Sequence, residues 1–146
     1  MNRLASVAVA CLLAGCTQET PGPAELAMGS DLCANCRMVI VSQATAAQIV
    51  APGEEPVAFD EVGCLRDYLA RTPLEADAVA YVADHRTGAW IDARRALFTQ
   101  ARTATPMASG IIAHADAASR DADPAARAGV PVTAAAVLGG GAGGTP

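Results

Sequence analysis

The segment Cys33-Ala-Asn-Cys36-Arg-Met38-Val-Ile-Val41 constrains this chain most, because its three sulfur side chains run straight into β-branched positions. Read as a strand, it turns Cys36 and Met38 to one face and Arg37 to the other, since strand side chains alternate. A thiolate beside a thioether is a soft donor pair. Soft sulfur ligands select monovalent copper or, with more thiolates, zinc or iron–sulfur, whereas calcium and magnesium take oxygen. The methionine tilts the choice, because zinc is held by Cys, His and carboxylate while monovalent copper accepts a thioether. The competing reading is packing: a Met two residues from a Cys at a strand start also fills core.

At 146 residues the chain is one domain, or two very small ones sharing a core. Its ten basic residues are all Arg and are outnumbered by fifteen carboxylates, for a net charge of −5. That balance excludes nucleic acid as a partner, since phosphate contacts need a basic face. Residues 1–15 combine Arg3, an apolar stretch from Leu4 to Leu13 and small residues before Cys16, which is the pattern of an export signal. The stretch is too short to span a bilayer, which takes about 20 apolar residues. Leu13-Ala14-Gly15-Cys16 resembles a bacterial lipobox, whose Cys becomes the lipidated first residue. Of the five cysteines, Cys11 then leaves with the signal and Cys16 carries lipid. Cys33, Cys36 and Cys64 remain, so at least one thiol has no intramolecular disulfide partner.

Residues 16–30, with Pro21-Gly22-Pro23, suggest a flexible tether. Met38–Val41 and Ala46–Val50 are expected to pair as a hairpin, followed by a short strand at Val57–Phe59. Asp60 stands where a helix N-cap belongs, ahead of Val62, Leu65 and Leu69 at helical spacing, and Arg71-Thr72-Pro73 ends that helix. Val79–Val82 and Ala89–Ile91 are β-prone; Asp92 repeats the capping position before an expected helix from Ala93 to about Ala101, and Ile111–Ala113 closes the series. Ala58-Phe59-Asp60 with Leu65 matches Trp90-Ile91-Asp92 with Leu97 at a shift of 32 residues. The expectation is an α+β fold of two duplicated ββαβ units, about 36–78 and 79–118, within a domain over 31–118. The Ala- and Gly-rich residues 119–146 are expected to be disordered and dispensable for the site.

Cys33-x-x-Cys36-x-Met38-x-Ile40, Phe59-Asp60-Glu61-Val62-Gly63-Cys64-Leu65, Tyr81-Val82-x-Asp84, Gly88-x-Trp90-Ile91-Asp92-Ala93 and Thr105-Pro106-Met107-x-x-Gly110 follow one another as in the NosL family, which this chain resembles from about Asp31 to Asp116 and at the lipobox. The resemblance implies a copper(I) metallochaperone, lipid-anchored at Cys16 on the periplasmic face of a bacterial membrane, that serves nitrous oxide reductase together with an ABC-type maturation complex. It implies a fold similar to organomercurial lyase, with a treble-clef-like arrangement. It implies Cys36 and Met38 as copper ligands and Met107 as a third. Three departures stand out: Arg37 where a Gly is common, His114 where an aromatic is common, and the long Gly-rich tail.

Cys33 reads as a further ligand or as a disulfide partner of Cys36. Cys64, in the first turn of the expected helix, suits a buried core position, although a helix N-terminus also lowers a thiol pKa. His85 and His114 are further candidate ligands or merely solvated imidazoles. Asp60 and Asp92 are better explained as caps than as an acid pair, and Trp90 as the main core aromatic. No nucleophile motif, phosphate loop or paired helix histidines points to an enzyme. Two rivals remain. A thiol–disulfide redox protein would use Cys33 and Cys36 but lacks the βαβ context, and an organomercurial-lyase-like enzyme rests on fold similarity alone.

Overall fold

The computed structural model describes residues 20–140; the signal segment, Cys16 and residues 141–146 lie outside the described residues. The fold is α+β, built on two antiparallel sheets. In the first, β1 (Ala47–Val50) lies between β2 (Val57–Phe59) and β3 (Val79–Ala83), with β4 (Trp90–Asp92) outside β3. The register sets Ala47 opposite both Phe59 and Val82, and Tyr81 opposite Asp92. In the second, β5 (Leu97–Gln100) lies between β6 (Ile111–His114) and β7 (Val130–Val132). Helix α1 (Val62–Leu69) joins β2 to β3, α2 (Ala117–Ala122) joins β6 to β7, and α3 (Ala134–Leu138) follows β7.

Two runs of the chain therefore share the order ββαβ with the first strand in the middle: β1-β2-α1-β3 and β5-β6-α2-β7. The boundaries and register differ from the expected ones. The first strands begin at Ala47 and Leu97, and no helix follows Asp92. Instead the Asp92 carboxylate accepts from the Arg94 backbone N–H at 3.0 Å and from the Arg94 guanidinium, fixing a turn. Residues 97–100 then extend as a central strand hydrogen-bonded on both sides. Pairing along two edges outweighs the helical preference of an Ala- and Arg-rich segment, because propensity is a weak prior against tertiary contacts.

Helix α1 buries the expected stripe of Val62, Leu65 and Leu69. These side chains meet Phe59, Ile40 and Val82, all fully buried, and Tyr68 packs edge-on to Phe59 at 5.1 Å between ring centroids. Phe59, not the half-buried Trp90, is thus the central aromatic. Met38–Val41 forms no named strand: a single bridge, Leu32 to Val39, is its β pairing. Part of the expected tether is also packed. Gln48, fully buried, accepts from the Ala24 N–H at 2.8 Å and donates to the Ala24 carbonyl at 3.0 Å, while the Tyr81 hydroxyl donates to the Pro21 carbonyl. Residues 21–26 hence cover the sheet and satisfy a polar side chain that burial alone would penalise.

The tail departs furthest from expectation. β7 adds an edge to the second sheet, and α3 returns to pack on α1, burying Val137 and Leu138. With only 3% aromatic residues in the chain, these two aliphatic side chains complete the cover of α1 that a larger residue elsewhere would have supplied. The two sheets are stitched by a parallel bridge from Asp84 to Ala113.

Candidate metal centre

Asp60 does not cap α1. Glu61 holds the cap position, without a side-chain cap bond, and Asp60 is buried one residue earlier at the exit of β2. Its backbone is fixed by the Thr45 hydroxyl, which donates to the Asp60 carbonyl at 2.9 Å. Its carboxylate turns instead toward the sulfur segment. The Cys36 thiol donates to Asp60 Oδ2 at 3.2 Å, and Asp60 Oδ1 is buried with no partner.

Cys33 to Cys36 form a turn, not a strand. The turn closes by the Arg37 N–H on the Cys33 carbonyl at 2.9 Å and the Cys33 N–H on the Met38 carbonyl at 2.8 Å. It is tied to β2 by the Ala34 N–H on the Ala58 carbonyl, and to the end of α1 by the Arg71 guanidinium on the Asn35 side chain. Arg37 leaves the turn with φ +67°, in the left-handed region where glycine carries no Cβ penalty. Strand alternation therefore does not place Cys36 and Met38 together; the turn and α1 decide which groups meet.

Cys33, Cys36, Cys64 and Asp60 each offer one ligand atom, and all four atoms lie within 4.8 Å of one another. All three cysteines are free thiols. Cys33 and Cys64 are buried and Cys36 is partly open to solvent. Cys64 is thus both a core position and a member of the cluster. Burial, with Asp60 and Cys33 adding to it and the Met38 N–H opposing it, pushes the Cys36 thiol up to about 11. Burial pushes the Cys64 thiol up further still. Both thiols are protonated at neutral pH, so a cation bound there displaces protons. The unpartnered carboxylate oxygen beside three sulfurs is a buried polar atom that a cation would satisfy. The donor set fits a soft ion.

Met38 and Met107 are both about half exposed. Met107 is carried to the same end of the molecule by its backbone N–H, which donates to the buried Glu61 carboxylate at 3.1 Å. Gly63 makes this approach possible, since a Cβ there would fall 2.4 Å from the Ser109 Cβ. His85 and His114 do not join the sulfur group. They form a second group with Asp123. Sequence reasoning missed Asp60 and Asp123, and assigned Cys64 to core alone. The one available signal for Asp60 and Cys64 was the Asp-x-x-x-Cys spacing, which puts the Cys one helical turn beyond an acid at the helix start.

Together, the fold and site define a small α+β domain carrying a buried thiol–carboxylate cluster that could hold a metal ion and opens to solvent through one cysteine. The NosL family model matches residues 24–129, and the chain belongs to the NosL family. No curated protein and no solved structure matches it significantly. Among the described residues no helix is long and apolar enough to cross a membrane.

Proposed function

We propose that this protein is an exported, lipid-anchored copper(I) metallochaperone supplying copper for the maturation of nitrous oxide reductase through an ABC-type assembly complex. The observation that carries the reading is the meeting of Cys33, Cys36, Cys64 and Asp60 within ligand distance in a member of the NosL family. Copper(I) is the cargo that soft donors favour. Cys36 is the least buried of the three thiols and the one an incoming partner ligand would displace first. Met38 and Met107, half exposed at the rim, would receive the ion as it leaves or enters. The lipobox at Cys16 would hold the domain on the periplasmic face of the membrane, with residues before Pro21 as the remaining tether. Carriage by ligand exchange needs no catalytic base.

Copper(I) titration against a competing chelator tests this, using Cys36→Ala, Cys64→Ala, Met38→Ala and Met107→Ala proteins. The cysteine variants should lose affinity most and the methionine variants less. Near-wild-type affinity in all four would sink the proposal, as would X-ray absorption showing only nitrogen or oxygen around bound copper.

A further inference from the structure

The second side-chain cluster lies where β3 meets the second sheet. His85 follows β3, His114 ends β6 and Asp123 follows α2. Their ligand atoms lie within 4.8 Å of one another. Asp123 Oδ2 accepts from His85 Nδ1 at 2.6 Å and from His114 Nε2 at 2.9 Å. His114 is fully buried, the Asp123 side chain is 7% exposed and the His85 side chain 20%, so the group opens to solvent on the His85 side.

The group is held from outside. Asp84 is itself buried; its Oδ1 accepts from the Arg86 and Thr87 N–H groups at 3.0 Å, and its Oδ2 accepts from the Ala115 N–H at 2.9 Å and the Ser119 hydroxyl at 2.7 Å. The His85 N–H donates to the Ala113 carbonyl at 2.8 Å, beside the Asp84–Ala113 bridge, so residues 85 and 114 are fixed side by side. Asp123 Oδ1 is taken by the Ala125 N–H at 2.9 Å, which leaves Oδ2 aimed between the two imidazoles. A ligand set whose supporting hydrogen bonds are already made needs little rearrangement to take an ion.

We propose that His85, His114 and Asp123 form a second metal site, distinct in chemistry from the sulfur centre, that takes a divalent first-row ion of the zinc class. Two imidazoles and one carboxylate are the donors such an ion prefers, and three protein ligands leave a fourth position for water or a partner's side chain. The pairwise separations of 2.6 and 2.9 Å need only a small opening to admit an ion bonded at about 2.0–2.1 Å. On binding, each ring carries its proton on its other nitrogen. For His85 that is Nε2; for His114 it is Nδ1, so binding moves the proton from the nitrogen that donates to Asp123 onto one that is buried without a partner. Asp123 exchanges two N–H donors for the ion, and its negative charge, with that of Asp84 behind it, offsets the dication. In a chain that carries copper(I) on its thiols, as proposed above, a site of this hardness would hold a structural or regulatory divalent ion and leave the cargo ion to the sulfur cluster.

Zinc(II) titration of Cys36→Ser/Cys64→Ser protein, whose sulfur centre is disabled, tests the proposal. The expected result is one equivalent bound, a raised Tm with zinc, and X-ray absorption showing only nitrogen and oxygen neighbours. Affinity should fall at least 100-fold in the same protein carrying His85→Ala, the member of the group most open to solvent, with circular dichroism checking that the variant is folded. Should the double Cys variant not fold, wild-type protein alkylated at Cys36 serves instead. Absence of zinc binding, or binding unchanged by both His85→Ala and Asp123→Asn, overturns the site and leaves a hydrogen-bonded structural cluster only. Because the copper(I) experiment reads the thiols, either proposal can fail without the other.

Discussion

The two ligand clusters are assembled differently: the sulfur cluster gathers at the β2–α1 junction, whereas the histidine cluster joins the end of β6 to the residues that follow β3 and α2, and their states differ too. At the β2–α1 junction the groups are under-satisfied: an orphaned carboxylate oxygen, and thiols that burial holds in the protonated form. In the histidine cluster the buried side-chain polar atoms are paired except for His114 Nδ1. Burial pushes Asp84 upward, but its four hydrogen bonds outweigh that and hold it at about 2. Burial likewise opposes ionisation of Asp123, and the bonds from His114, His85 and Ala125 outweigh it, again to about 2. An under-satisfied cluster gains most from a cation and releases it to better ligands; a satisfied one braces the fold. The contrast suits exchange on one side and fixture on the other.

The largest expected effect on binding breaks the first half of this comparison. Cys64→Ala should weaken copper(I) binding at least about 100-fold, roughly 2.7 kcal/mol, while leaving zinc binding at the histidine cluster within error. Loss of both ions together would mean that the clusters are not independent. Since Cys36 sits near 11, copper(I) affinity should climb about tenfold per pH unit for each proton displaced and flatten only above that value. A pH-independent affinity between 6 and 9 would show that the thiols are already ionised.

The largest expected effect on stability is that of removing residues 134–146. Uncovering α1 by losing Val137 and Leu138 should cost on the order of 3–6 kcal/mol by urea unfolding. It should loosen Cys64 while sparing the second sheet's pairing. An unchanged midpoint would restore the view of the tail as dispensable.

Asp84→Asn sharpens the second half. The folded carboxyl lies at about 2, below the ordinary 3.8, so its contribution is present above the unfolded value and is lost as pH falls toward 2. The substitution should cost about 2–3 kcal/mol at pH 7, with a smaller difference from wild type at pH 2.5. The smallest effect is Arg37→Gly. Relieving a left-handed non-glycine residue should stabilise the protein by about 0.5–1 kcal/mol, without moving copper(I) affinity if the turn is set by its hydrogen bonds.

Much of the first unit was legible in the chain. Val57–Phe59 and the stripe Val62, Leu65, Leu69 declare a strand and a helix through local pattern, and both appear where that pattern puts them. The second unit was legible only at its strand Ile111–Ala113, which β6 contains. Asp92 and the Ala–Arg run after it imitate the Asp60 segment, but the choice between helix and strand at 97–100 rests on β6 and β7, which arrive later in sequence. The same holds for the site. Cys36 announces soft chemistry by itself, whereas Asp60 looks like a cap until the turn at 33–36 brings a thiol to its carboxylate.

The sequence by itself determined the α+β class and the supply of soft sulfur donors, because these follow from short-range periodicity and side-chain type. Tertiary structure alone decided that Cys64 and Asp60 join Cys33 and Cys36, that two histidines meet Asp123, and that the Ala-rich tail returns to cover α1. In the two clusters the hydrogen-bonded groups are 9 to 38 residues apart in the chain, and α3 is farther still from α1; sheet pairing and burial bring them together, and no local rule records which distant partner a side chain will find.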